Sequence, residues 1–192
     1  MKTLLLVIFI LASFLSVFSQ SSEKKIKYIE REITTDTGKI IKVRTIDDTQ
    51  TDIGDPVPLF IFRGEDNKDY TNSDFANKTL VINFWITSCG PCKRELKRIE
   101  NELLGKYPSN KFAFISVGPN VSPEELVKFK KSADIKFELF RDSTGDSFNK
   151  FAYSAFPRNY VISPEGKIVY QGIGYTDSTY QKLLSVISET IE

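Results

Sequence analysis

The sequence of 192 residues contains no histidine, one methionine, one tryptophan and two cysteines, Cys89 and Cys92. A structural zinc site takes four Cys or His ligands, so this chain has too few of them to form one by itself. We therefore expect no metal, and we expect no other cofactor. A purely structural disulfide is also poorly supported, because a bond between residues so close in sequence adds little stability.

An excess of one charge sign is missing as well. The chain has 26 basic and 25 acidic residues, a formal net charge of +1, and no long block of either sign. Nucleic-acid-binding domains carry a clustered basic excess, so we expect no nucleic-acid partner. With 41% hydrophobic and 12% aromatic residues, the chain is long enough to bury one proper core.

The N-terminus has the pattern of a targeting segment. Lys2 provides a positive charge, Leu4 to Leu15 form an apolar run that is short for a bilayer span, and Val17-Phe18-Ser19 form an imperfect cleavage site. We predict a signal peptide over residues 1–19, cleavage after Ser19 and no stable membrane insertion afterwards; an uncleaved anchor is the alternative. No cysteine lies near the cleavage point, which excludes a bacterial lipoprotein.

Export to the periplasm or the medium places the cysteine pair outside the cytosol, where disulfides persist. A secreted protein whose two cysteines form one Cys-x-x-Cys motif is not using them as a scaffold. We therefore expect another protein to oxidise or reduce this pair.

The most informative stretch, Thr79 to Leu104, has the pattern of a buried strand that runs into a helix. Thr79 to Trp85 is a nearly continuous apolar run, which suits a central strand covered on both faces. The period then changes to that of a helix, whose apolar stripe consists of Cys92, Leu96, Ile99 and Leu103. Both cysteines therefore lie at the junction of the two elements.

Cys89 is predicted to lie at the helix entrance, with Pro91 inside the first turn. The unpaired N–H groups and the positive end of the helix dipole stabilise an anion there, so the Cys89 thiolate is favoured. Cys92 lies one turn further in and is shielded. An exposed nucleophile with a shielded partner is the arrangement required for disulfide exchange.

The run VINFWITSCGPCKREL resembles the active-site segment of the thioredoxin superfamily, and more closely its TlpA/ResA-like periplasmic branch. The segment Cys89–Cys92 matches the CGPC motif, Trp85 the FW position, and Asn83 an asparagine that is common in the branch. Glu95 matches an acid that ResA-like proteins carry three residues after the second cysteine. The resemblance covers about Thr51 to Glu192.

A second stretch, Phe156 to Ile162, resembles the family's cis-proline segment, in which a proline faces the Cys-x-x-Cys motif. The alternative is an ordinary trans proline that opens a strand. In the family, the backbone beside this proline pairs with an extended substrate chain. The residues that the resemblance places at the substrate-binding surface are Trp85, Ser88, Gly90, Pro91, Phe156, Pro157, Arg158 and Gly172.

Two of these positions depart from the family pattern. Ser88 replaces the usual tryptophan before the first cysteine, which opens one wall of the substrate surface. Arg158 follows the predicted cis-proline where threonine is usual. Its cation either lowers the pKa of Cys89 or selects acidic clients, or it is simply solvated.

Glu95 lies at the edge of the helix stripe, so we expect it to be partly buried, with a raised pKa. Such a carboxyl group suits proton exchange with Cys92, whose shielded thiol must lose its proton during the reaction. The alternative is a surface glutamate paired with Arg98. We therefore predict Cys89, Cys92 and Glu95 as the catalytic residues.

The predicted fold class is α/β, a thioredoxin-like fold with a central mixed β-sheet flanked by helices and an N-terminal β-hairpin extension. The extension covers residues 20–50, with strands at Ile26–Thr34 and Lys39–Ile46, and the thioredoxin-like domain covers residues 51–192. The other predicted elements include strands at Leu59–Arg63, Lys111–Gly118 and Ile135–Phe140, a hairpin around Pro164–Gly166, and helices from Ser122 and over Asp177–Ile191.

The sequence thus predicts a thiol-disulfide oxidoreductase. The resemblance implies a cell-envelope reductant, with client proteins such as apocytochrome c or metallochaperones and a membrane thiol electron donor. A thiol peroxidase of the redoxin type is a second possibility, but it predicts threonine three residues before the cysteine, where Ile86 stands. A non-catalytic thioredoxin-fold binding module is the third.

Overall fold

The computed structural model describes residues 27–34 and 38–191, so the predicted signal peptide lies outside it. Within these ranges no helix has the length and apolar character needed to cross a membrane. The strands are β1 (Lys27–Thr34), β2 (Ile40–Asp47), β3 (Ile61–Gly64), β4 (Asp69–Thr71), β5 (Thr79–Phe84), β6 (Phe112–Pro119), β7 (Phe140–Asp142), β8 (Arg158–Ile162) and β9 (Ile168–Ile173). The α-helices are α1 (Gly90–Glu102), α2 (Pro123–Ala133) and α3 (Asp177–Ile191).

Seven strands form one mixed sheet in the order β4-β3-β7-β6-β5-β8-β9. Strands β5, β6 and β7 are mutually parallel, while β8 runs antiparallel to β5 and to β9. Strands β1 and β2 form a separate antiparallel hairpin in which Lys27 pairs with Asp47. The predicted α/β class, mixed sheet and N-terminal hairpin are all confirmed.

Strand β5 is the centre of the sheet, and all six of its residues are buried. On one face, Val81 joins a core to which all three helices contribute, through residues such as Leu96, Leu126 and Leu183. On the other face lies a second, aromatic-rich core that includes Phe60, Phe62, Phe84, Phe148, Phe151 and Tyr160. A strand that is apolar on both faces is therefore placed where both faces are covered.

One predicted strand is wrong for most of its length, because only Phe140 of Ile135–Phe140 is in a strand. Side-chain carboxylates bind backbone N–H groups of this segment. The Lys136 N–H donates to Glu100 at 2.6 Å, and the Leu139 N–H donates to Glu65 at 2.7 Å. Such local bonds compete with a strand ladder.

The stretch between Gly64 and Lys78, for which no element is predicted from the sequence, contains strand β4. Strand β4 pairs with β3, so that Ile61 lies opposite Thr71. The Phe60 N–H before β3 donates instead to the Asn72 side chain at 3.0 Å. The sheet therefore begins slightly later than predicted and gains an edge strand.

The register of the central strands brings three chain segments to one edge of the sheet. Phe84, at the end of β5, pairs with Arg158, the first residue of β8, and Arg158 also pairs with Ile173 at the end of β9. The linker to Cys89 leaves from this edge, and Pro157 enters at it. Segments far apart in sequence are thus held together by the hydrogen-bonded central strands.

Candidate functional site

Cys89 and Cys92 form a disulfide, with Cα atoms 5.3 Å apart. Cys89 is the N-cap of α1, and its Sγ accepts a hydrogen bond from the Cys92 N–H at 3.1 Å. Cys89 is 8% exposed and Cys92 is 0% exposed, so the first cysteine is the more accessible, although less open than predicted. In the described part of the chain, no three Cys, Asp or Glu side chains are grouped to hold a metal ion.

The predicted cis bond is present between Phe156 and Pro157. Pro157 is buried, and its carbonyl oxygen accepts a hydrogen bond from the Gly174 N–H at 2.8 Å. Ser88 and Gly90 are exposed at the helix entrance, and Pro91 is half-buried. Ser88, Gly90 and Pro91 flank the two cysteines along the chain, and Pro157 directly precedes Arg158, which pairs with the end of the strand that leads to Cys89.

A groove with a volume of about 300 Å³ lies beside this surface. It joins the linker before Cys89 to the cis-proline loop, and we call it the aromatic groove. Its lining residues are Ile86, Thr87, Pro119, Asn120, Val121, Glu125, Phe148, Asn149, Tyr153 and Phe156. The Phe156 ring stacks on Phe148 with centroids 5.1 Å apart, and Tyr153 is 60% exposed. Sequence reasoning identified Phe156 but missed Tyr153, whose signal is an aromatic residue close before the cis-proline.

Trp85 does not lie at the substrate surface, contrary to the prediction. Its side chain is 0% exposed and stacks on the Phe129 ring with centroids 3.7 Å apart. Gly118 leaves room for it, because a Cβ there would lie 2.9 Å from the indole. The alternation of β5 continues through Trp85 and directs it into the core beneath the helices.

Arg158 does not lie at the substrate surface either, because its side chain is only 1% exposed. Its guanidinium group forms an ion pair with Asp48 and donates to Thr49 Oγ1 at 3.0 Å. It also donates to the Ser154 carbonyl oxygen at 2.6 Å. Arg158 is therefore neither solvated nor free to bind an acidic client, and its charge is already compensated.

Gly172, which the resemblance places at the substrate surface, lies within β9, opposite Asn159. A Cβ at this position would collide with the hydroxyl group of Tyr170. The half-buried glycine therefore makes room for the Tyr170 ring. Gly174, just after the strand, contacts the cis-proline instead.

Glu95 is more deeply buried than predicted, with 1% exposure. Its Oε2 accepts a hydrogen bond from Asn83 Nδ2 at 2.9 Å, and its Oε1 accepts one from Asn159 Nδ2 at 2.8 Å. The alternative pairing with Arg98 is wrong, because Arg98 forms ion pairs with Glu102 and Asp177. The carboxyl group thus faces the sheet, not the solvent.

The two asparagines belong to a row of polar side chains across three strands. Asn83 pairs in register with Ser116 on one side and with Asn159 on the other. The Ser116 hydroxyl donates to Asn83 Oδ1 at 3.0 Å, and Asn83 Nδ2 also donates to Asn159 Oδ1 at 2.9 Å. Ser116 and Asn159 were not predicted, because only the strand register shows that they meet beneath Glu95.

Opposing effects set the proton affinity of Glu95. Burial disfavours the ionised form, and the amide hydrogen bonds from Asn159 and Asn83 favour it. Burial dominates and raises the pKa of Glu95 from 4.5 to about 8. A carboxyl group with a pKa near neutrality can take and return a proton at physiological pH.

The family model for the AhpC/TSA family matches residues 53–171, which is more than half of the chain. The chain belongs to the AhpC/TSA family. The thiol-disulfide oxidoreductase ResA of Bacillus thuringiensis subsp. konkukian is 28% identical over 120 residues, or 62% of this chain and 69% of that protein.

Two solved structures of proteins that act on disulfides by name are also similar to this chain. A candidate protein disulfide isomerase from Bacteroides thetaiotaomicron has a TM-score of 0.70 at 29% identity, covering 75% of this chain and 92% of that one. A thiol-disulfide oxidoreductase from Bacteroides fragilis has a TM-score of 0.58 at 25% identity, covering 69% and 99%. This AhpC/TSA family protein is accordingly a thiol-disulfide oxidoreductase with a thioredoxin-like fold.

Replacing Glu95 with glutamine should remove a pH dependence from the stability of the disulfide form. Between pH 4.5 and about 8 the folded protein holds a proton on Glu95 that the unfolded chain has released. Stability therefore falls as the pH rises through this window, by on the order of 5 kcal/mol. We expect the unfolding free energy of the wild type, relative to that of Glu95→Gln, to fall over the same range in urea denaturation.

The matched control is Glu102→Gln, which removes an exposed carboxylate from the same helix. A difference between the wild type and Glu95→Gln that stays constant with pH would contradict the prediction. It would mean that the carboxyl group binds its proton equally well in the folded and unfolded states.

Proposed function

We propose that this protein reduces disulfide bonds of client proteins outside the cytosol, in the cell envelope. The observation that carries the proposal is the placement of Cys89 Sγ at the N-cap of α1, where it accepts the Cys92 N–H. Such a donor and the helix dipole favour a thiolate at Cys89, which is the nucleophile that disulfide exchange requires.

The reaction consists of two exchanges. The Cys89 thiolate attacks one sulfur of the client disulfide, a mixed disulfide forms, and the first client thiolate leaves. Cys92 then loses its proton and attacks the Cys89 sulfur, so that the second client thiolate leaves. The client is reduced by two electrons, and the pair ends as the disulfide seen in this structure.

Glu95 is the proton acceptor that we assign to the second exchange. Cys92 is completely buried, which disfavours its thiolate unless a nearby group takes the proton. Residues three apart on a helix are neighbours, so Glu95 lies one turn from Cys92 on the buried side of α1. When a donor reduces the pair again, the same proton returns to Cys92.

Clients are expected to bind across the helix entrance, the cis-proline loop and the aromatic groove. Ser88 and Gly90 are exposed there, and the groove offers Phe156 and Tyr153 as apolar contacts. The resemblance to TlpA/ResA-like proteins suggests apocytochrome c or metallochaperones as clients and a membrane thiol protein as electron donor. Export would follow from a signal peptide over residues 1–19.

Client reduction is preferred over peroxide reduction for a reason visible in the site. Ile86 occupies the place of the threonine expected in a redoxin-type peroxidase and provides no hydroxyl group. The second cysteine lies one helical turn from the first and is already bonded to it. The pair therefore suits exchange with the disulfide of a client protein.

The first prediction from this proposal concerns the reduction potential of Cys89–Cys92. We expect a value of about −270 mV, as in reducing thioredoxins, because CGPC stabilises its thiolate less than an oxidant does. The measurement is equilibration of the chain from Gln20 onward in dithiothreitol or glutathione redox buffers. A value near about −120 mV would reverse the proposed direction and make the protein an oxidant.

The second prediction concerns the mixed disulfide. Cys92→Ser should still attack a client disulfide but cannot resolve the adduct, so most of the protein should become covalently attached to an oxidised Cys-x-x-Cys peptide. Mass spectrometry before and after dithiothreitol measures the adduct. Cys89→Ser is the matched control and should form none, because the remaining Cys92 is buried. Equal adduct formation by both variants would contradict the assignment of Cys89 as nucleophile.

A further inference from the structure

A segment before the family match is hydrogen-bonded to the cis-proline region. The match begins at residue 53, yet residues 48–50 run antiparallel to residues 151–153. The Gln50 N–H donates to the Phe151 carbonyl oxygen at 2.8 Å, and the Tyr153 N–H donates to that of Asp48 at 3.3 Å. The predicted boundary between residues 50 and 51 thus falls inside a segment that is attached to the domain.

Three side chains fasten this segment to the loop that carries Pro157. Asp48 Oδ1 pairs with the Arg158 guanidinium group, and Asp48 Oδ2 accepts the Ser154 hydroxyl. Arg158 Nε donates to the Ser154 carbonyl oxygen at 2.6 Å, which closes the ring. We call Asp48, Ser154 and Arg158 the Asp48 clasp.

The clasp holds both ends of a loop with an unusual backbone. Between Ser154 and Arg158 lie Ala155, with a positive φ of 66°, and the cis Phe156–Pro157 bond. A residue other than glycine keeps a left-handed conformation only where its surroundings determine it. The clasp holds this loop at Ser154 and Arg158. Phe156, which lies between them, lines the aromatic groove.

The ion pair of the clasp is largely removed from water. The Arg158 side chain is 1% exposed and that of Asp48 is 12% exposed. A charge so deeply buried needs a compensating partner, and a buried pair can fix one geometry among alternatives. Arg158 begins β8, so its own position is set by the sheet. Asp48 then determines how the loop and the N-terminal segment join it.

We propose that Asp48 is a positioning residue for client binding, which acts through Arg158 and Ser154 on Phe156 and Pro157. This inference rests on the proposed function, because it assumes that a client contacts the cis-proline loop. It gives the chain before the family match a part in client recognition. The cysteine pair lies at the start of α1, outside the clasp, so exchange with a small disulfide does not depend on Asp48.

The test compares Asp48→Asn and Ser154→Ala in the chain from Gln20 onward. Asp52→Asn is the matched control, because it removes an exposed carboxylate from the same segment. Pre-reduced protein is mixed with a peptide that holds one Cys-x-x-Cys disulfide, and separately with glutathione disulfide. Single-turnover rates over a range of concentrations separate peptide binding from the chemical step.

The peptide concentration that gives half the maximal rate should rise about tenfold in Asp48→Asn. This corresponds to a dissociation constant that is higher by the same factor. Ser154→Ala should show a smaller rise in the same direction, and Asp52→Asn should match the wild type. The rate constants with glutathione disulfide should be unchanged in all of them. Ser154 is exposed, so its variant tests the clasp even if Asp48→Asn does not fold.

Two results would overturn the inference while leaving the proposed function intact. In the first, the wild type reduces the peptide, and Asp48→Asn and Ser154→Ala have the same half-saturating peptide concentration as Asp52→Asn. The other is an equal loss toward the peptide and glutathione disulfide, which would show general damage instead of positioning. A wild type that reduces glutathione disulfide but no peptide disulfide would contradict the proposed function, and this inference with it.

Discussion

A carboxyl group buried one helical turn beyond Cys92 constrains the centre of this fold. Glu95 is almost fully removed from water and needs hydrogen-bond donors, which β5 and β8 supply as Asn83 and Asn159. Ser116 of β6 completes the row. A slip of one residue in the register would turn these side chains to the opposite face and leave the carboxyl group without donors. The register of the sheet and the position of α1 are therefore mutually dependent.

This dependence connects the site to the buried central strands of the sheet. The cysteine pair lies at the start of a helix whose buried Glu95 is hydrogen-bonded to two central strands, β5 and β8, and the cis-proline loop leads directly into β8. Sites built on such elements hold their geometry more precisely than sites on loops. The groups to which we assign proton transfer and disulfide exchange are thus held by regular secondary structure, while Ser88 and Tyr153 are exposed at the surface.

Local features of the site could be predicted from the sequence, and long-range ones could not. The strand-to-helix junction, the N-cap position of Cys89 and the burial of Cys92 follow from short-range pattern, and the structure has them. The burial of Arg158 depends on its ion pair with Asp48, 110 residues earlier. A local sequence pattern does not connect the two residues. Likewise, the strand predicted over Ile135–Phe140 fails because carboxylates of Glu65 and Glu100 bind its backbone. Its composition alone gives no sign of those partners.

The position of Trp85 makes its fluorescence a means of following the cysteine pair. It is the single tryptophan of the chain and belongs to the same core cluster as Cys89 and Cys92. The indole and the two sulfur atoms therefore share one environment, and we expect the intrinsic fluorescence to change when the pair is reduced. Because Trp85 is fully buried, the signal is shielded from solvent and from bound peptides. Such a change would report electron transfer to and from the pair without a dye and without altering either cysteine.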